Sequence, residues 1–338
     1  MNSNTKIGRN RRRGTMPVGR RAKCMHSLER HLKQHNRYDR KGVKTASYTT
    51  QANRRHHLKR VIDDLYAMGF KIPSVESLKG RHIDVLVKKW EKDNLSTSTI
   101  QGRLSHLRAL CRWIGKEGMV LSATAYLVNP EKAKRSSVAT KPKGCVELGV
   151  DVVPRLKKAV QLEPMVGVII LLQAAFGLRT EEASKSKPHL ADCGDYLAVN
   201  WGTKGRRERT LAITLDVQRQ TVDLAKQLTT GLNHSLIPTK YNWKQWRDRY
   251  YNVCKAARLV KAEGCNPHAL RHSYAVMIFE AISGEYAPVK GLKPSPNADQ
   301  DRIRLARQIT AEHLGHSRMQ KSSSYIGAMS ECVFGEVT

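Results

Sequence analysis

Between residues 58 and 114, apolar side chains recur three and four positions apart in three separate runs, a period that restricts this part of the chain to packed helices. Leu58, Val61, Ile62, Leu65 and Met68 form the first stripe, and Gly69 is placed to end it. Ile83, Leu86, Val87 and Trp90 form the second. Behind the cap-rich segment DNLSTST, Ile100, Leu104, Leu107, Cys111 and Ile114 form the third. A compact all-α unit over 46–120 is the expectation. Its other faces carry Lys88, Lys89, Arg103, Arg108 and Arg112, which suit either phosphates or plain solvent. From 121 to 144 the stripes lapse into LSATAYLVNPEKAKRSSVATKPKG, the composition of a linker.

The remainder, 145–338, mixes two periods. Helices are predicted over 152–161 and 165–176, and the second is apolar on every side, so it is expected to be buried. YLAVNWGTKGRRERTLAITLD alternates apolar residues on both sides of a glycine-containing turn, the signature of a β-hairpin. NWKQWRDRYYNVCKAARLV and HALRHSYAVMIFEAI return to helical spacing. The second domain is therefore mainly α with a small antiparallel sheet.

Charge narrows the partner. Across 338 residues, 60 Lys and Arg stand against 29 Asp and Glu, a formal net charge of +31. A surplus of this size calls for a polyanion, and nucleic acid is the commonest one. Residues 1–23 hold eight basic residues and no acidic one, so 1–45 is expected to be a basic arm that orders on a polyanion or only aids solubility. The longest apolar run, MVGVIILLQAAFG, falls short of the roughly 20 residues that span a bilayer, so no membrane association is expected. No apolar signal segment is seen near the N-terminus. Seven scattered cysteines without a C-x-x-C pair indicate neither a disulfide framework nor a zinc site, which suits a reducing, cytoplasmic compartment.

Four stretches of the second domain concentrate cations and proton carriers: GLRTEEA with Arg179 and Glu182, GTKGRRER with Lys204, HALRH with His268 and Arg271, and LGHSRMQKSSSY with His316 and Tyr325. A phosphodiester under attack gains negative charge on its non-bridging oxygens, and two planar, permanently charged guanidiniums are the suitable clamp. A tyrosine hydroxyl, with an ordinary pKa of about 10, becomes a nucleophile when cations lower that value. A lysine on a hairpin turn can protonate the leaving 5′ oxygen, and histidines can carry protons or hydrogen-bond the phosphate near neutral pH. Each residue alone has a plain structural explanation. Their order and spacing together do not.

These motifs resemble those of the tyrosine recombinase, or phage-integrase, family, and the resemblance covers nearly the whole chain. It implies a two-domain fold: an all-α core-binding domain over 46–120, a linker over 121–144, and a mainly α catalytic domain over 145–338 with a small antiparallel β-sheet and a C-terminal tail. Carried over by motif, Arg179, Lys204, His268, Arg271 and His316 are catalytic, Tyr325 is the nucleophile, and Glu182 is the acid supporting Arg179. Arg206 and Arg207 crowd Lys204 and join the DNA-binding set. The implied activity is site-specific recombination of double-stranded DNA through a 3′-phosphotyrosine and a Holliday junction. It would run in a homotetramer on DNA, without cofactor or metal, in a prokaryotic or phage setting close to the nucleoid. A type IB topoisomerase and a non-catalytic DNA-binding protein are the alternatives.

Two departures from compact family members stand out. His268 and His316 lie 48 positions apart, and the excess includes SGEYAPVKGLKPSPNADQ, a Pro- and Gly-rich stretch expected to form a loop that leaves the site undisturbed. That insertion, with ARQITAEHLGH and YIG, is similar to integrases of genomic islands and integrative elements. Residues 1–45 also lack the alternating strands of the arm-site domain. The three serines before Tyr325 are small enough to let the hydroxyl move, and Val333 and Phe334 beyond it are candidates to dock on a neighbouring subunit or fold back on their own.

Overall fold

The computed structural model describes residues 19–328 except 39–42, 44 and 134–135. The chain divides into two compact units, 1–136 and 137–338.

In the first unit the three stripes become α2 (Tyr48–Ala67), α3 (Gly80–Lys92) and α4 (Thr97–Trp113), which follow α1 (Arg20–His35). Ser47 and Ser96 cap α2 and α4 by accepting from the backbone N–H of Thr50 and Thr99, and Gly69, with φ of +86°, turns the chain out of α2. Leu58, Val61, Ile62, Leu65, Ile83, Leu86, Val87, Ile100, Leu104, Leu107 and Cys111 form one core with the fully buried Trp90. The indole N–H of Trp90 donates to Asp64 Oδ2 at 3.1 Å, so the largest core side chain leaves no polar atom unpaired.

Two boundaries differ from expectation. The basic arm gives way at residue 20, where α1 buries Cys24, Leu28 and Leu32 in the same core. Its apolar residues sit four apart among His, Lys and Arg, so composition hides the stripe. The linker is not free either: Val120, Ala123, Leu127 and Ala133 pack on the first unit, and Ala139 packs in the second. The basic residues of 1–18 lie outside the described residues, as do Val333 and Phe334.

In the second unit, α5 (Val153–Leu162) and α6 (Pro164–Phe176) each carry proline in the first turn. The all-round apolar α6 is buried, and it stops at Gly177, whose φ is +62° and where a Cβ would lie 2.3 Å from the Tyr274 ring. Next come α7 (Thr180–Lys185) and α8 (Pro188–Ala191). The hairpin pairs β1 (Tyr196–Val199) with β2 (Arg209–Ala212) antiparallel, Leu197 opposite Leu211, and both buried. After it come α9 (Asp216–Gln227), α10 (Trp243–Ala256), α11 (Pro267–Ser283), α12 (Gln300–His313) and the single turn α13 (Ser323–Ile326). One core joins α5, α6, the hairpin, α9 and α10; a second joins Tyr274, Phe279, Ile303, Ala306, Leu314, Tyr325 and Ile326.

The insertion between α11 and α12 is more than a loop. Ala287 and Val289 are buried in the second core, and Gly327 lies so close to Val289 that a Cβ there would meet its backbone nitrogen at 2.8 Å. A disulfide joins Cys145 and Cys265, which corrects the reading of unpaired thiols. The two are 120 residues apart, a separation that carries no local signature.

Candidate active site

Gly177 swings the chain so that Arg179 occupies the N-cap of α7. Glu182, three residues on, accepts from the Arg179 backbone N–H at 2.9 Å and from its Nη1 at 2.6 Å. Arg209 on β2 reaches the same carboxylate with Nη1 and Nη2 at 3.2 and 2.9 Å. Burial pushes the Glu182 carboxyl up, but hydrogen bonds and charge from Arg209, then Arg179, outweigh it and hold the group at about 2. Glu182 therefore stays ionised and sets the spacing of two arginines.

Arg271, fully buried on α11, donates through Nη1 to the Gly177 carbonyl, through Nη2 to the Leu314 carbonyl at 2.5 Å, and through Nε to the Tyr325 hydroxyl at 3.3 Å. Arg179 Nη2 donates to the same Leu314 carbonyl at 3.0 Å. Gly315, with φ of +65°, follows; a Cβ there would stand 3.0 Å from Arg209 Nη1 and 3.3 Å from Arg179 Nη1. A side chain at this left-handed position would press on both guanidiniums, so glycine suits it.

Three imidazoles surround the tyrosine. Asn266 caps α11 through the N–H of His268 and Ala269, which fixes His268 in the first turn with its ring 6.4 Å from that of Tyr325. His272 lies 4.7 Å and His316 5.9 Å from the same ring. Burial, then the charges of Arg179 and Arg271, pulls His316 down to about 4; burial, then His268, Lys143 and Arg271, takes His272 to about 3. The Nε2 of His316 is buried with no hydrogen-bond partner among the described residues, as expected of a group awaiting an external acceptor or donor. In the free protein His316 is expected to stay neutral down to about pH 4. NMR titration of its ring measures this, and a midpoint above about pH 6 would contradict the arrangement.

Of the sequence-derived residues, Arg179, Glu182, His268, Arg271, His316 and Tyr325 converge. Lys204 stands exposed on the hairpin turn without a hydrogen bond or ion pair among the described residues. Arg206, with φ of +56°, and Arg207 are exposed beside it, and an open hollow of about 750 Å³ lined by Arg207, Arg209, His313 and His316 runs from there to the site. In the first unit Lys88 is exposed, but its neighbours have internal work. Lys89 bonds Asp93 at 2.5 Å, Arg103 lies 5.0 Å over Trp90, Arg108 donates to the carbonyls of Val120 and Leu121, and Arg112 donates to Glu117 at 3.1 Å. Sequence reasoning missed Arg209, although it closes the quoted GTKGRRER, and His272, one helical turn after His268.

Comparison with known proteins agrees with this architecture. The phage integrase N-terminal family model matches residues 25–120, and the integrase family model matches 147–277. The chain belongs to the tyrosine recombinase (phage integrase) family. Among solved structures, it is similar to a lambda integrase dimer bound to a COC′ core site, with TM-score 0.56 and 16% identity over 88% of this chain and 76% of that one. It is also similar to the Tn1549 transposon integrase in complex with transposon right end DNA, with TM-score 0.57 and 12% identity over 91% and 97%. For XerH recombinase bound to difH substrate the values are 0.53 and 13% over 95% and 96%. At these identities the likeness shows the fold. Comparison with curated proteins returns no significant match. Among the described residues no helix is long and apolar enough to cross a membrane, and no group of three His, Cys, Asp or Glu could hold a metal ion.

Proposed function

We propose that this site-specific recombinase cleaves one DNA strand with Tyr325, whose hydroxyl attacks a phosphorus held by Arg179 and Arg271. The P–O5′ bond breaks, the tyrosine becomes joined to the 3′ phosphate, and the 5′ oxygen leaves as a hydroxyl after taking a proton. Lys204 supplies that proton; its exposed place on the hairpin turn, unpartnered among the described residues, supports this role, since the turn can close on a bound strand. His268, whose ring lies 6.4 Å from that of Tyr325, takes the proton that the attacking hydroxyl loses, and His316 hydrogen-bonds the phosphate. Attack on the phosphotyrosine by the 5′ hydroxyl of a partner duplex restores the phosphodiester and returns the tyrosine. Two such rounds pass through a Holliday junction, so four protomers assemble on two double-stranded sites. The lambda integrase tetramer on a Holliday junction lends support to that assembly. The activity belongs with the nucleoid in the cytoplasm.

One observation carries the proposal: the Tyr325 hydroxyl rests 3.3 Å from Nε of a buried arginine, inside a ring of histidines. With a nicked duplex carrying the attachment sequence, in EDTA, a covalent adduct that survives SDS is expected. No adduct would sink the mechanism. Relaxation of supercoiled DNA of any sequence, without strand exchange, would reassign the chain to topoisomerase chemistry.

A further inference from the structure

The turn that carries Tyr325 is four residues long, far too short to hold itself, since a single helical turn is unfavourable without outside contacts. Its position is therefore set by its tethers. The Ser323 carbonyl accepts from the Ala139 N–H at 2.8 Å, and the Ser323 hydroxyl accepts from Arg307 Nη2 at 2.6 Å. Ile326 is fully buried, and Gly327 abuts Val289 of the insertion. Two of the three serines before the nucleophile are thus tied down, where their small size alone suggests slack: Ser322 also donates to the Met319 carbonyl at 2.7 Å.

Arg307 lies midway along α12, whose C-cap residue Leu314 offers the carbonyl that receives both Arg179 and Arg271. One rigid element thus sets the phosphate clamp at its end and holds the nucleophile's turn from its middle. Building on the reading of Tyr325 as nucleophile, we propose that Arg307 is a positioning residue, which fixes the reach of the Tyr325 hydroxyl toward the clamped phosphate by holding Ser323. A displacement of about 1 Å at a reacting atom can cost on the order of 100-fold in rate. Ser323 is two residues from Tyr325 on the same turn, so loss of its hydrogen bond is transmitted directly.

The test uses the full chain on a nicked duplex under single turnover, with adduct formation, DNA affinity and thermal unfolding measured for each variant. Arg307→Ala and Ser323→Ala are each expected to slow adduct formation about 10-fold with DNA affinity unchanged. The double variant should be no slower than the slower single one, because both remove one interaction. Arg307→Lys, which keeps a donor, should recover part of the rate. Unchanged or faster cleavage in Ser323→Ala, effects that multiply in the double variant, or a parallel loss of affinity would each overturn the proposal. Should Arg307→Ala fail to fold, Ser323→Ala and Arg307→Lys decide alone. Tyr325→Phe, run alongside, separates the two readings: an adduct that persists there refutes the nucleophile, whereas an adduct lost there but formed at full rate by Ser323→Ala refutes only the positioning role.

Discussion

Tyr325→Phe is expected to reduce covalent adduct formation by on the order of 10⁴-fold or more, because the reaction loses its nucleophile and no second hydroxyl occupies that place. The change is otherwise mild. The residue is 8% exposed and its ring packs among His268, His272 and His316, contacts that phenylalanine retains. The hydroxyl gives up one long hydrogen bond, to Arg271 Nε at 3.3 Å, so the cost in stability should not exceed about 1–2 kcal/mol. DNA affinity should hold. Gel separation of the adduct in SDS, with binding and unfolding measured on the same preparation, checks all three; a variant that cleaves as fast as the parent would remove Tyr325 from the mechanism.

Glu182→Gln has the largest expected effect on stability. The carboxylate is wholly buried and accepts from Arg179 and Arg209, with Arg271 Nη1 a further 3.9 Å away. An amide turns an N–H₂ toward one of these guanidiniums and leaves their charges uncompensated, and breaking a buried pair in this way costs roughly 3–5 kcal/mol. The clamp should widen as well, and adduct formation should fall with it. The pH dependence has a definite sign. The group is held at about 2 in the folded protein, against an ordinary 4.5. Its contribution is thus complete above about pH 4.5 and disappears as pH falls toward 2. Urea denaturation of parent and variant should show a gap that is widest near neutrality and closes over that range. A gap independent of pH would mean that the carboxylate charge is not what holds the arginines.

Local features carried much of this through the sequence. The stripes of α2, α3 and α4 have a period that a buried helix face requires, and Leu197 and Leu211 alternate as a half-buried hairpin requires. Arg179, His268, Arg271, His316 and Tyr325 sit in short motifs whose residue types match one reaction. What escaped depends on contacts between distant segments. Arg209 reads as one more cation in a basic turn until the fold places it on Glu182. Arg307 and Ala139 meet Ser323 across 16 and 184 positions, and no local period reports such a meeting. The α1 stripe was masked by its own charge, and the insertion looked idle because its Pro and Gly content hides Ala287 and Val289.

The two arginines of the clamp share a main-chain oxygen, that of Leu314. A peptide carbonyl cannot be altered by exchanging its own side chain, so the anchor survives any residue at 314 that keeps the end of α12 in place. Sequence drift reaches the clamp indirectly, through Gly315 or through the Glu182 carboxylate that holds Arg179. The spacing of the guanidiniums is in this sense written partly into the course of the backbone, where exchange of the Leu314 side chain does not remove it.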